Sequence, residues 1–186
     1  MQIKNVVLKS VLILSMGLLF LNPEVDAQPS LENRANRNDV NSFDNIITAL
    51  YDVISGPAGE QRDWDRFRSL MQPSARLMPV FTDKNGVAKT RLLTPEAYIT
   101  QADSILKADG FFESEIARKI EQYGNLVHVF STYESRHKAG DPKPFARGIN
   151  SIQIIYEQDR WWIANIIWQP EQSGLPIPEK YLREMP

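Results

Sequence analysis

An α+β domain, with helices from the first half of the chain packed on one face of a curved antiparallel sheet, is predicted by three observations. Apolar residues recur mainly at helical spacing before Gly110, and two-residue alternation takes over from Phe111 to Gln169. Turn-forming residues separate each of these segments from the next.

The first helix is expected from Val40 to Ser55, where Val40, Phe43, Ile47, Leu50 and Ile54 form a stripe widened by Ile46, Tyr51 and Val53. Asp39 is its expected N-cap and Gly56-Pro57 its stop. A second helix fits Asp63 to Met71, with Trp64, Phe67, Leu70 and Met71 on one face. A third opens at Thr94-Pro95-Glu96, which supplies a cap, a proline at the first helical position and an acid near the positive dipole end. It runs to Gly110, so about three helices precede the main sheet. Between the second and third, Ala75 to Phe81 and Val87 to Leu93 form a strand pair around the Asn85-Gly86 turn. Four longer strands follow: Phe111 to Gln122, Leu126 to His137, Phe145 to Glu157 and Trp161 to Gln169. Of these, Glu113 to Glu121 would also tolerate a helix. Prolines 170, 176, 178 and 186 keep the tail out of a central strand, leaving room for a helical turn at Glu179 to Arg183.

The 186 residues are 42% hydrophobic with a formal charge of −2, so no global field holds nucleic acid or an anionic membrane. The absence of cysteine excludes disulfides, thiolate nucleophiles and cysteine-held metal sites. Lys4 precedes a run from Val6 to Leu21 that is apolar except for Lys9, Ser10 and Ser15, and Val25-Asp26-Ala27 fits a signal-peptidase site. Residues 1–27 are therefore expected to be a signal peptide cleaved after Ala27, sending the chain to the periplasm or the medium. Residues 28–39 then read as a flexible leader, 40–171 as the domain and 172–186 as a Pro-rich tail.

Three stretches carry a resemblance. They are Gln61-Arg62-Asp63-Trp64-Asp65-Arg66-Phe67-Arg68-Ser69-Leu70-Met71 with Pro73 and Ala75, Gly124 to Glu134 (GNLVHVFSTYE), and Asp159 to Ile166 (DRWWIANI). In order and spacing they resemble the nuclear transport factor 2-like superfamily, most closely its SnoaL-like polyketide cyclases and ketosteroid isomerases. The resemblance covers about Val40 to Glu171 and implies a cone-shaped fold, the helices on the concave face of the sheet around a pocket, often with dimerisation through the sheet. It does not imply one chemistry.

Against that template Tyr51 falls where isomerases place a donor tyrosine, although a core tyrosine with its hydroxyl bonded at the rim fits equally. The template's base would lie on the first strand, where the chain reads Arg76-Leu77-Met78-Pro79, so steroid-isomerase-like proton transfer is disfavoured. Alternation puts Val127, Val129, Ser131, Tyr133 and Ser135 on one strand face, assigned to the cone by the resemblance, and His128, Phe130, Thr132, Glu134 and Arg136 on the other. Glu134 and Arg136 are then expected to pair as ions. Two histidines without a partner at ligand spacing give no metal site. The last strand is apolar on both faces, so both are expected to be covered, one by helices and one by a partner subunit or the tail. By the family pattern Asn165 points into the cone, where either a ligand or a structural bond satisfies it.

The expected function is thus a secreted module binding a small hydrophobic molecule, with pocket candidates Tyr51, Ser131, Tyr133 and Asn165, no cofactor and no metal. The chain is not expected to be an enzyme; if it is one, a metal-free lyase or isomerase is the alternative. A third reading is a homodimer or partner-docking module using Phe130, Glu134 and Trp168 on the outer sheet face.

Overall fold

The computed structural model describes residues 35–183. The expected signal peptide and most of the expected leader lie outside the described residues, as do the last three of the tail.

Two helices stand where one is expected, α1 (Arg37–Val40) and α2 (Phe43–Ile54). The chain breaks between them because Ser42 is extended and its hydroxyl accepts from the Asn45 backbone N–H, a cap that ends one helix to start the next. Asp63 and Thr94 cap α3 (Trp64–Leu70) and α4 (Pro95–Asp109) in the same way. The buried face of α2 includes Ile46, Ile47, Leu50, Tyr51 and Ile54, the stripe read from the sequence.

The strands are β1 (Met71–Thr82), β2 (Ala88–Thr90), β3 (Phe112–Tyr123), β4 (Leu126–Arg136), β5 (Ala146–Glu157) and β6 (Arg160–Pro170). They form one curved, unclosed sheet in the order β2-β1-β6-β5-β4-β3. The segment that would also tolerate a helix, Glu113 to Glu121, is strand, paired along its length with β4. Neighbours joined by tight turns are antiparallel, but β1 lies parallel to β6, so the sheet is mixed rather than antiparallel throughout. Only a short connection forces antiparallel pairing. Between β1 and β6 the chain passes through α4 and three strands, which leaves that orientation free.

Besides the register shift between Met71 and Arg76 in β1, two single-residue β-bulges among the described residues change which side chains reach the interior. In β3, Glu115 faces Tyr133 and Ala117 faces Thr132, so Ile116 is an extra residue; in β6, Ile163 faces Ile154 and Asn165 faces Gln153, so Ala164 is extra. Each extra residue reverses which alternate side chains point inward beyond it.

One core joins the helices to the inner face of the sheet, with Ile46, Ile47, Phe67, Leu70, Val127, Val129, Ile152, Ile154 and Ile163 almost fully buried. The buried Arg62 side chain clamps the helical layer. Its guanidinium donates to the backbone carbonyls of Ile54, Gly56, Pro57, Glu60 and Leu106, tying the end of α2 to the last turn of α4. Gly56 must lack a side chain there, since a Cβ would come within 2.6 Å of the Arg62 guanidinium. Gly56 and Phe111 exchange both backbone hydrogen bonds, which fixes the start of β3 beside the end of α2.

The outer face is partly covered by the tail. A 3-10 turn at Glu179–Tyr181 sets the Tyr181 ring against Phe130 at 5.0 Å, and the Tyr181 carbonyl accepts from the Thr132 hydroxyl.

Candidate functional site

Between α2, α4 and the inner sheet face lies a cavity of about 300 Å³. Its walls are mainly apolar, and its polar groups are Tyr51, Tyr98, Glu113, Tyr133, Ser135 and Asn150. Among the described residues, Glu113 is the one carboxyl-bearing residue in that lining.

Glu113 is held at both its backbone and its side chain. Its N–H donates to the Ser55 hydroxyl at 3.0 Å, and the same hydroxyl donates to the Tyr51 carbonyl at 2.7 Å, so one serine locks strand β3 to the last turn of α2. The Ser135 hydroxyl, directly across the ladder, donates to Glu113 Oε2 at 2.8 Å. Burial in this apolar setting pushes the carboxyl up to about 7, against the smaller downward pull of its bonds from Ser135 and Asn150. A carboxyl in that range exchanges a proton near neutrality, as a general acid or base must.

Tyr51 lines the cavity as the sequence suggests, but its hydroxyl is committed elsewhere. The Ser131 hydroxyl donates its single proton to Glu115 Oε1 at 2.5 Å, so at the 2.6 Å contact Tyr51 donates to Ser131. Asn150 Nδ2 donates to the Tyr51 oxygen at 3.0 Å. The chain of bonds runs Asn150 to Tyr51 to Ser131 to Glu115, and Glu115 ends on Arg118, which also reaches Asp44 on α2 at 2.6 Å. Burial first, and then the nearby Glu113 carboxylate, raise the Tyr51 phenol far above its usual range, so it stays un-ionised.

Tyr133 and Tyr98 complete the polar end. Both phenols are raised by burial and by the Glu113 charge, and neither hydroxyl has a hydrogen-bond partner among the described residues. They are the donors free to meet something inside the cavity. Tyr133 lies over Gly148, its cross-strand partner, where an added Cβ would meet the phenol oxygen at 2.4 Å. Tyr98 stacks on Phe67 at 5.3 Å and meets Trp168 edge-on at 6.2 Å.

Of the four pocket candidates, Tyr51 and Tyr133 reach the cavity wall, and Ser131 lies fully buried behind it, bonded to Tyr51. Asn165 does not point into the cone. The bulge at Ala164 turns it to the outer face, where it donates to Gln153 Oε1 at 2.7 Å and its own Oδ1 is buried without a partner among the described residues. The same bulge corrects Trp168, which lines the cavity instead of the outer face. The other outer-face candidates are engaged within the chain: Phe130 by Tyr181, and Glu134 by Arg136 at 2.6 Å, the ion pair expected from the sequence. Glu113 and Tyr98 are site residues that sequence reasoning misses. The hairpin turn alone pairs Ser114 with Ser135, and only the bulge at Ile116 brings Glu113 there.

The layered helices on a curved six-stranded sheet define a cone-like α+β protein. The chain has the nuclear transport factor 2-like fold. No family model matches the sequence. Among solved structures it is similar to a nuclear transport factor 2-like protein of unknown function from Pseudomonas putida (TM-score 0.51, 8% identity, 68% of this chain and 82% of that one). It is also similar to a protein of unknown function with a cystatin-like fold from Nostoc punctiforme (TM-score 0.52, 9% identity, 69% of this chain and 87% of that one). At such identities the likeness shows the fold alone.

Proposed function

We propose that the chain binds a small, largely apolar molecule inside the cone, with the ligand's polar end against Glu113, Tyr98 and Tyr133. The observation that carries this reading is two phenol hydroxyls without hydrogen-bond partners among the described residues, lining an apolar cavity together with a carboxyl. Donors that open onto an apolar cavity bond more strongly to a ligand there than they would in bulk water, so a ligand that accepts from them gains affinity. A cavity of about 300 Å³ suits a ligand at the small end of the usual range. The apolar run and cleavage pattern of residues 1–27 support export, so the ligand would be met outside the cytoplasm.

The reading is tested by denaturing freshly purified protein and searching the extract by mass spectrometry. A small molecule should be released from the parent chain and be missing from Ala102→Phe, which fills the cavity. Its absence from the parent, or its persistence in a folded Ala102→Phe, overturns the reading.

Glu113 specifically favours a second reading, metal-free acid–base turnover of the lyase or isomerase type. No first-strand carboxylate is needed if the proton moves through β3 instead. Exchange of the α-protons of 2-tetralone in D2O, slowed about 100-fold or more by Glu113→Gln, would be its signature. Equal exchange by the two proteins removes it.

A further inference from the structure

The charge inventory of the cavity points to the kind of ligand. Four carboxylates elsewhere that are largely out of water each face an arginine: Asp39 faces Arg66, Glu115 faces Arg118, Glu134 faces Arg136 and Glu171 faces Arg147. Glu113 faces no arginine among the described residues, and what meets its carboxyl is neutral, the Ser135 hydroxyl at 2.8 Å and the Asn150 side chain. Among the described residues, no lysine, arginine or histidine lines the cavity. It does contain a wall of rings, with Phe67 stacked on Tyr98, Tyr98 against Trp168, and Phe111 against Phe145 near the exposed rim.

We propose that the cavity selects a monocationic amine with a small apolar body, its ammonium group set against Glu113 among the rings of Tyr98, Tyr133 and Trp168. An anion would meet the Glu113 carboxylate with nothing to offset it, whereas a cation gains both a charge partner in a water-poor space and the electron-rich ring faces. A neutral ligand gains neither. This assignment rests on the ligand-binding reading above and narrows it to one chemical class.

The assignment carries a proton signature. The titratable groups facing Glu113 are the phenols of Tyr51 on α2, Tyr98 on α4 and Tyr133 on β4, all held un-ionised, and the nearest other carboxylate along β3, Glu115, is occupied by Arg118. Glu113 is therefore the group that responds, and since it titrates at about 7, roughly half of it carries a proton at neutral pH. An arriving ammonium group drives that proton off.

Calorimetric titration with 2-phenylethylamine, 2-phenylethanol and 3-phenylpropanoate tests the proposal, run at pH 7 in two buffers of different ionisation enthalpy. The amine should bind about ten-fold or more tightly than the alcohol and release roughly half a proton, and the carboxylate should not bind. In Glu113→Gln, which keeps an acceptor for Ser135, amine affinity should fall to that of the alcohol and proton release should vanish. An alcohol that binds as tightly as the amine, or an amine preference that survives Glu113→Gln, overturns the assignment while leaving the cavity reading intact. If neither amine nor alcohol binds or changes Trp168 fluorescence, both fall.

Discussion

Replacing Tyr51 with Phe removes an oxygen that accepts from Asn150 and a proton that goes to Ser131. Asn150 Nδ2 then loses its acceptor in a buried setting, and stability should drop by about 1–3 kcal/mol in chemical denaturation. Because the phenol proton points away from the cavity, ligand affinity should change far less than on Tyr98→Phe or Tyr133→Phe. A large loss of affinity in Tyr51→Phe at unchanged stability would contradict the bond directions. Glu113 makes the complementary prediction. Its carboxyl is raised in the folded chain, from 4.5 to about 7, so the folded state binds the proton more tightly than the unfolded state. Stability is then fully present below pH ~4.5 and declines as pH rises to about 7, by up to ~3 kcal/mol. Glu113→Gln should remove that decline and be the more stable protein at pH 8, which denaturation curves at pH 5 and pH 8 would show.

At the scale of the element, alternation on β4 and β5 is unbroken, and there Ser131 and Tyr133 can be assigned to the inner face from the sequence alone. The helix stripes and the four-strand order are legible for the same reason, since periodicity reports burial directly. The site is less so. Nothing in Glu115-Ile116-Ala117 or Ile163-Ala164-Asn165 marks an inserted residue, yet each bulge reverses the parity of the strand beyond it. One hides Glu113 from a register count, and the other sends Asn165 out and Trp168 in. Gly148 shows what such pairing demands. Gly148→Ala would drive a Cβ into the Tyr133 phenol at 2.4 Å and the Gln169 carbonyl at 2.6 Å. We expect a loss of about 1–3 kcal/mol and a displaced Tyr133, visible as weakened ligand binding relative to Ile149→Val, a neighbour on the same strand outside the cavity lining.

For the molecule as a whole, the tail behaves as part of the sheet's outer layer. Ile177 is buried and its N–H donates to Glu171, which Arg147 holds in turn. Ending the chain after Glu171 should therefore cost about 2 kcal/mol and lower Tm by roughly 4–8 °C, with Phe130 newly accessible to a fluorescent apolar probe. An unchanged Tm would mean that the tail rests on the sheet without stabilising it. The parallel seam between β1 and β6 has a further consequence, for the order of assembly. Met71 and Ile163 are neighbours in the sheet, yet α4 and the strands β2 to β5 all lie between them along the chain. Such a contact closes a long loop and is slow to form. During synthesis the β1–β2 pair has no mate until β6 has emerged, by which time β3, β4 and β5 can already be in register. A chain built this way cannot complete its sheet until its last strand arrives, and for the export proposed above that delay would put off the fully folded state during passage through a secretion channel.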